Sequence, residues 1–221
     1  MINDCLSDIL LWARQNCLKI NSQKTELIHF SSRFNPASLP ACIVVDGLNV
    51  HETTKARNLG VCMDQHLQLK EHVKIMTQSA MCALKRIGKI RNYLCEKTTE
   101  KLVHAFVSSR IDFCNSLLFG LPEKDIRKLQ IVQNCAARLV MRAKGRDPIT
   151  PLLSHLHWLP VDKRIMFMIS VLCHKTLIYK FPTYLSEIII EYVPQRNLRS
   201  SSQNMLIILR TRICSYGDRA F

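Results

Sequence analysis

The sequence predicts an α+β protein that is mostly α-helical. Between residues 69 and 180, apolar residues recur at three- and four-residue steps, the period of a helix with one buried face. Before residue 67 the apolar runs are instead short and separated by turn-forming residues, which is typical of small hairpins. With 221 residues, the chain is long enough for one or two domains with a buried core.

The first thirty residues predict a helix and a hairpin. Residues 3–16 have one apolar helical face, with Trp12 at its edge; this face comprises Leu6, Ile9, Leu10 and Ala13. Residues 17–20 and 25–30 are short apolar segments on either side of Asn21-Ser22-Gln23, so we expect them to pair as strands. Residues 42–45 and 48–50 predict a second hairpin, because Asp46-Gly47 between them strongly favours a two-residue turn.

Residues 69–94 predict a long helix that is basic near its C-terminal end, where it carries Lys85, Arg86, Lys89 and Arg91. Residues 98–146 predict two helices joined at Gly120-Leu121-Pro122, because Gly suits a left-handed helix cap and Pro cannot continue a helix. The first of these helices has an apolar face of Leu102, Val103, Phe106, Val107, Ile111, Cys114, Leu117 and Leu118. The second helix and the residues after it carry Arg138, Arg142, Lys144 and Arg146. These cations suit phosphate, but they also suit the negative end of a helix dipole or a solvated face.

The remaining residues predict a buried Trp158, a helix over residues 161–180 and a short helix before Pro194. On the long helix we expect Ile165, Ile169, Leu172, Thr176 and Tyr179 to face the core. His155 and His157 have no Cys or carboxylate motif beside them, so we predict no metal site. Residues 195–221 form a basic tail that we expect to be extended, with a possible strand at residues 205–209.

The charge is concentrated in the helical part of the chain. The formal net charge is +14, and residues 61–221 hold twenty-five Lys and Arg against twelve Asp and Glu. Such an excess favours a polyanionic partner and says little about fold. Ten scattered cysteines without a C-x-x-C pair predict reduced, mostly buried thiols in a cytoplasmic or nuclear protein. No apolar run reaches the length that spans a bilayer, so we predict no membrane insertion.

Several blocks of the chain resemble one protein family. The blocks IDFCNSLLFGLP, KLQIVQNCAARLV and ITPLLSHLHWLPVDKRI, which start at Ile111, Lys128 and Ile149, are similar to the region after the palm in reverse transcriptases. The similarity is to the enzymes of non-LTR (LINE-type, jockey-like) retrotransposons. Further blocks at residues 10–30, 56–73, 196–201 and 216–221 agree in order and spacing.

The resemblance implies three regions: a palm remnant at residues 1–66, a thumb-like helical region at 67–146 and a helical extension at 147–221. In the first region, Lys24 matches a possible general acid, if an upstream palm is present, and Leu59, Gly60 and Val61 match the primer grip. Otherwise Lys24 lies on a solvated turn and residues 58–63 are an edge hairpin covering a helix. The thumb-like region implies backbone contacts to RNA and DNA through the cations of residues 85–91 and 138–146.

The family uses Mg²⁺ held by palm carboxylates, including an aromatic-Ala-Asp-Asp turn that this sequence does not contain. We therefore expect a C-terminal fragment that binds template and primer, holds no cofactor and does not polymerise by itself, with Phe221 as a truncation point. Two alternatives stay open: a helical scaffold for a protein partner, or a decayed reading frame that does not fold. The sequence does not indicate the oligomeric state.

Overall fold

The computed structural model describes residues 2–31, 42–192 and 205–207, and the predicted α+β, mostly helical class is confirmed. In these ranges there are eight α-helices and two separate two-stranded antiparallel hairpins. Contacts divide the chain into two compact units, Met1–Ile75 and Met76–Phe221. The three-region division stays a prediction.

The first unit contains one helix and both hairpins. Its elements are α1 (Ile2–Gln15), β1 (Cys42–Val45), β2 (Leu48–His51), β3 (Lys55–Asn58), β4 (Val61–Asp64) and the start of α2 (Lys70–Ile90). Of the predicted inner face of α1, only Ala13 is buried, and Ile9 and Trp12 are largely exposed. Buried side chains come mainly from the strands and from the start of α2: Val45, Val50, Val61, Leu69, His72 and Val73.

The Asp46-Gly47 hairpin is confirmed. β1 pairs with β2 so that Val45 is opposite Leu48, and both turn residues have positive φ, 48° at Asp46 and 79° at Gly47. The second hairpin closes in the same way, with Asn58 opposite Val61 and with Leu59 and Gly60 in the turn. Positive φ at both central residues is the geometry that matches the twist of the two strands.

The predicted hairpin of residues 17–20 and 25–30 is wrong. Residues 22–24 form a 3₁₀ turn in which the Asn21 side chain accepts a hydrogen bond from the Lys24 amide at 3.2 Å. The Thr25 hydroxyl donates to the Asn21 carbonyl at 3.0 Å. Because Asn21 starts a helical turn, the two segments do not run alongside each other, and Leu27 instead forms an isolated parallel bridge with Glu52.

The second unit is helical. After the C-terminal part of α2 it contains α3 (Glu96–Val103), α4 (Ser109–Asp112), α5 (Glu123–Met141), α6 (Ile149–His155), α7 (Val161–Tyr179) and α8 (Thr183–Ile188). α5 is central, since it packs against α3, α6 and α7. Its inner face is completely buried at Leu129, Val132, Ala137 and Val140.

The helix predicted to precede the Gly120 corner is interrupted twice. A π turn at His104–Ser108 separates α3 from α4, and Cys114 has a left-handed backbone before a 3₁₀ turn at Asn115–Leu118. A π turn holds an extra residue, which shifts the phase of the helix. Phe106 and Leu117 are therefore half-exposed, and Cys114 is exposed, although the period predicts all three inside. The Gly120 corner forms as predicted, with φ of 69°.

α7 is less buried than its sequence predicts. Ile165 and Thr176 are buried, but Tyr179 is exposed, and so are Met166 and Phe167 on other faces. A helix this apolar is normally covered on most sides. Residues 193–204 and 208–221, which include most of the predicted basic tail, lie outside the described residues; Leu206 forms a single antiparallel bridge with Glu191.

The prediction of mostly buried cysteines is wrong. In residues 2–31, 42–192 and 205–207, nine cysteines are free thiols; six of them are exposed and three are half-buried. In the same residues no helix is long and apolar enough to cross a membrane.

Candidate nucleic-acid interface

Arg91 joins the C-terminal ends of α2 and α5. It follows α2 directly and is only 7% exposed. Its Nε donates to the Leu139 carbonyl at 2.8 Å, and its Nη2 donates to the Val140 carbonyl at 2.7 Å. These carbonyls belong to the last turn of α5, where carbonyls lack partners within the helix. Nη1 donates to the Leu94 carbonyl at 2.7 Å, so all three guanidinium nitrogens donate to backbone carbonyls.

The phosphate contact of Arg91 stays a prediction, and the burial of its side chain does not favour it. This guanidinium is buried and already donates to three carbonyls, so binding phosphate would compete with the contacts that hold the helix junction. We therefore leave Arg91 out of the candidate interface. Its contacts nevertheless join the C-terminal ends of α2 and α5, each of which has a basic segment beside it although the two segments are far apart in sequence.

We call the exposed cations around this junction the basic end. Its members from α2 are Lys85, Arg86 and Lys89, and its members after α5 are Arg142, Lys144 and Arg146. Arg142 has the left-handed backbone that ends α5, and its Nη2 donates to the Arg91 carbonyl at 3.3 Å. Of these cations, Lys89 lies in the last turn of α2 and Arg142 is the C-cap of α5, where the helix dipole favours positive charge.

Arg138 differs from the cations of the basic end. It is half-buried, its Nη2 donates to the Asp147 carbonyl at 3.3 Å, and its Nε is buried without a hydrogen-bond partner in the described structure. The Asp147 carboxylate accepts from the Lys144 amide at 2.7 Å. Arg138 therefore holds the loop that presents Lys144 and Arg146, and only part of its own guanidinium can face a phosphate.

In the first unit, the candidate residues differ in exposure. Leu59 is 88% exposed at the tip of the second hairpin, and Gly60 beside it is also exposed. Val61 is only 3% exposed, so its side chain belongs to the core and cannot contact a nucleic acid. Lys24 is exposed at the end of the 3₁₀ turn, and the structure gives it no catalytic partner among the residues it describes.

His72 is a buried group that sequence reasoning missed. Its Nδ1 accepts a hydrogen bond from the Cys62 amide at 3.4 Å, which links β4 to the start of α2. Burial, with a smaller contribution from the positive charge of Arg57, lowers the pKa of His72 below its usual value. The lowered pKa favours the neutral ring, which is the form that can accept this hydrogen bond.

A polar cluster links α4 to α7, and α3 to Trp158 shortly before α7. Arg164 contacts the carboxylate of Asp112 at 3.0 Å, and the Trp158 indole donates to Glu100 at 3.3 Å. Burial raises the pKa of Asp112, while the charges of Arg164 and His104 oppose that rise. The cluster consists of pairs such as Asp112 and Arg164. These residues are far apart in the sequence, so no local pattern predicts that they meet.

Three of the described aspartates are engaged by other groups of the protein. Asp64 accepts from the amides of Gln68 and Leu69 at 3.1 and 2.7 Å, so it caps the start of α2. Asp46 pairs with Arg14 at 3.0 Å, and Asp112 pairs with Arg164. No group of three or more His, Cys, Asp or Glu is arranged to hold a metal within the ranges that the structure describes.

The chain is similar to a transposon polymerase. It is 24% identical over 146 residues to the probable RNA-directed DNA polymerase from transposon BS of Drosophila melanogaster. The matched residues are 63% of this chain and 16% of that protein, so the chain spans only a small part of its relative. No protein-family model matches the chain. No solved structure matches it either.

Proposed function

We propose that this chain is part of the RNA-directed DNA polymerase of a non-LTR, LINE-type retrotransposon, and that it binds the backbone of template and primer. The similarity to the transposon polymerase carries the proposal. The blocks IDFCNSLLFGLP, KLQIVQNCAARLV and ITPLLSHLHWLPVDKRI support the finer assignment to the LINE type.

The basic end is the surface that would bind the nucleic acid. Its cations are exposed, they come from two helix ends held together by Arg91, and they lie in the part of the chain with a net charge of +13. Lys and Arg contacts to phosphates release counterions and carry no sequence information. We therefore expect binding that depends steeply on salt and weakly on sequence.

Catalysis is not part of this proposal. The engaged carboxylates do not fit a Mg²⁺ pair, and Mg²⁺ would be held by other residues of the whole polymerase. We expect this chain by itself to bind a template and primer without extending it. Mg²⁺-dependent nucleotide incorporation by the purified chain would contradict this expectation.

The direct test measures the affinity for an RNA–DNA duplex across a series of salt concentrations by fluorescence anisotropy. We expect the double variant Lys85→Ala/Lys89→Ala to reduce the slope of log affinity against log salt by about two, since each lost phosphate contact removes about 0.9. The matched control, Lys124→Ala/Lys175→Ala, removes the same charge from exposed positions on α5 and α7. Equal slopes for the two double variants would show that the basic end is not the interface.

A further inference from the structure

An open apolar groove of about 620 Å³ lies between α2 and the segment from α3 to α4 in the second unit. Buried Ala83 and Ile87 line it, together with Leu102 and the half-exposed Phe106. Its volume lies in the range of sites that accept a ligand or a few partner side chains. Because this lining is mainly apolar, phosphate and sugar would bind it poorly.

The π turn forms part of this groove. Phe106 lies within the turn His104–Ser108 and is 49% exposed, although its position in the helical period predicts burial. π turns are rare and are found frequently at functional sites. The irregular turn thus places a large aromatic side chain on the surface at a concave site, where an apolar partner would cover it.

Two arginines give the groove a charge preference. Arg86 and Arg110 are both exposed and both belong to the lining. Nη1 of Arg110 donates to the Ser79 carbonyl at 2.9 Å, which orients the guanidinium and leaves its other N–H groups to bind an acceptor. The groove therefore fits a short apolar ridge that carries a carboxylate.

The α8 helix of the same chain presents such a ridge. Tyr184 and Ile188 lie one turn apart and are 64% and 44% exposed. Glu187 is exposed and lies on the same face, because residues three and four apart are neighbours on a helix. We call Tyr184, Glu187 and Ile188 the α8 ridge.

We propose that the groove of one copy binds the α8 ridge of a second copy, with Arg110 facing Glu187, and that the contact occurs twice in a two-fold dimer. Tyr184 and Ile188 would cover Phe106 and Leu102. Apolar surface of both copies would thereby be removed from water. A reciprocal arrangement closes after two copies and leaves no unpaired groove. This contact would be separate from the nucleic-acid surface apart from Arg86, which lines the groove and also belongs to the basic end.

The dimer should respond to salt in the opposite direction from nucleic-acid binding. Each copy has a formal charge of +14, so two copies repel each other at low ionic strength. Salt screens this long-range repulsion, which acts beyond roughly 10 Å at 0.1 M, much more than it weakens the close Arg110–Glu187 pair or the apolar contact. Association should therefore strengthen as salt rises from a low to a physiological concentration.

The test is sedimentation equilibrium of the full chain without nucleic acid. We expect a monomer–dimer equilibrium that Arg110→Glu weakens by about tenfold or more, because two like charges then meet at each contact. Glu187→Arg should have the same effect. An equimolar mixture of these two variants should associate like the unsubstituted chain, since both contacts in the mixed dimer again join opposite charges.

The controls separate this contact from general charge effects and from misfolding. Lys124→Glu makes the same change in net charge on the exposed first turn of α5 and should leave dimerisation unchanged. Ile188→Ser removes apolar surface from the ridge without changing charge and should weaken the dimer. Helical circular dichroism should be the same for all variants.

Four outcomes would overturn the proposal. The first three are a monomer at every concentration, a mixture of Arg110→Glu and Glu187→Arg that stays dissociated, and equal weakening by Lys124→Glu. A fourth is a groove that binds nucleic acid: Arg110→Glu would then weaken the binding of a single-stranded RNA oligonucleotide more than Lys124→Glu does and leave sedimentation unchanged.

Discussion

Arg91 and Lys89 lie two positions apart and have different roles. Lys89 is exposed and belongs to the basic end, whereas Arg91 is buried and donates to the last carbonyls of α5. The difference arises because the chain returns at α5 and offers unsatisfied carbonyls to Arg91 alone. A planar guanidinium can satisfy several such acceptors at fixed angles, which an ammonium group cannot do.

We expect Arg91→Met to lower the free energy of unfolding by roughly 2–4 kcal/mol, because three carbonyls lose a charged donor while the aliphatic packing is kept. Arg91→Lys should recover only part of this loss. Urea unfolding followed by circular dichroism measures both values. Lys89→Met is the matched control and should change stability by less than about 0.5 kcal/mol. A comparable loss in the control would mean that the helix junction does not depend on Arg91.

His72 should make stability depend on pH. Its pKa is lowered from 6.5 in the folded state, mainly by burial, so below pH 6.5 the unfolded chain binds this proton more readily than the folded chain does. Stability should therefore fall as the pH drops through 6.5 and down to the folded pKa. His72→Gln keeps an acceptor for the Cys62 amide but does not titrate, so its stability should fall less over this range. Urea unfolding at several pH values gives the comparison, and parallel curves for the two proteins would contradict it.

At the scale of elements, the sequence predicts correctly those turns and helices whose conformation depends on neighbouring residues. The Asp46-Gly47 pair specified its hairpin turn, and the apolar period of residues 123–141 specified α5, because both depend on neighbouring residues. The π turn was not predictable from the spacing of apolar residues. Its one extra residue leaves steps of three and four residues on both sides, which look like an uninterrupted helix. For the same reason the period placed Phe106 inside, whereas the structure places it in a groove.

The first hairpin provides a test of this local control. Gly47→Ala should lower the free energy of unfolding by about 1 kcal/mol, because Gly47 has φ of 79° and a Cβ disfavours that backbone conformation. No atom lies within 4 Å of the added Cβ, so the loss would come from the backbone and not from a clash. Gly145→Ala is the control, since it also meets no atom within 4 Å but does not have a left-handed φ. If both variants unfold at the same urea concentration, the turn does not constrain the hairpin.

The candidate site depended on contacts that no sequence pattern reports. The cations at residues 85–89 and 142–146 are recognisable in the sequence as two basic segments, but the hydrogen bonds of Arg91 that join the two helix ends are not. Exposure separated the remaining candidates, since Val61 is buried and Leu59 beside the same turn is not. The helix junction at Arg91 and the burial of Val61 both depend on how distant segments pack. Neither composition nor the spacing of apolar residues carries that information.

At the scale of the whole molecule, the two units differ in how much core they have. In the second unit, α5 has an entirely buried face that packs against three helices. In the first unit, α1 buries only Ala13, and each hairpin has only two strands. Two-stranded hairpins are marginal unless something packs on them. The free energy of local opening should therefore differ strongly between the two units.

We expect hydrogen exchange of the full chain to show this difference directly. Amides of α5 around Leu129, Val132 and Val140 should exchange most slowly, because they open only when the second unit unfolds. Amides of α1 should exchange orders of magnitude faster, since fraying that helix exposes little apolar surface. Adding an RNA–DNA duplex should slow exchange at the C-terminal ends of α2 and α5, where the basic end lies, and leave α1 unchanged. Equal protection of α1 and α5 in the free chain would mean that the two units unfold together, with α1 stabilised as strongly as the helical core.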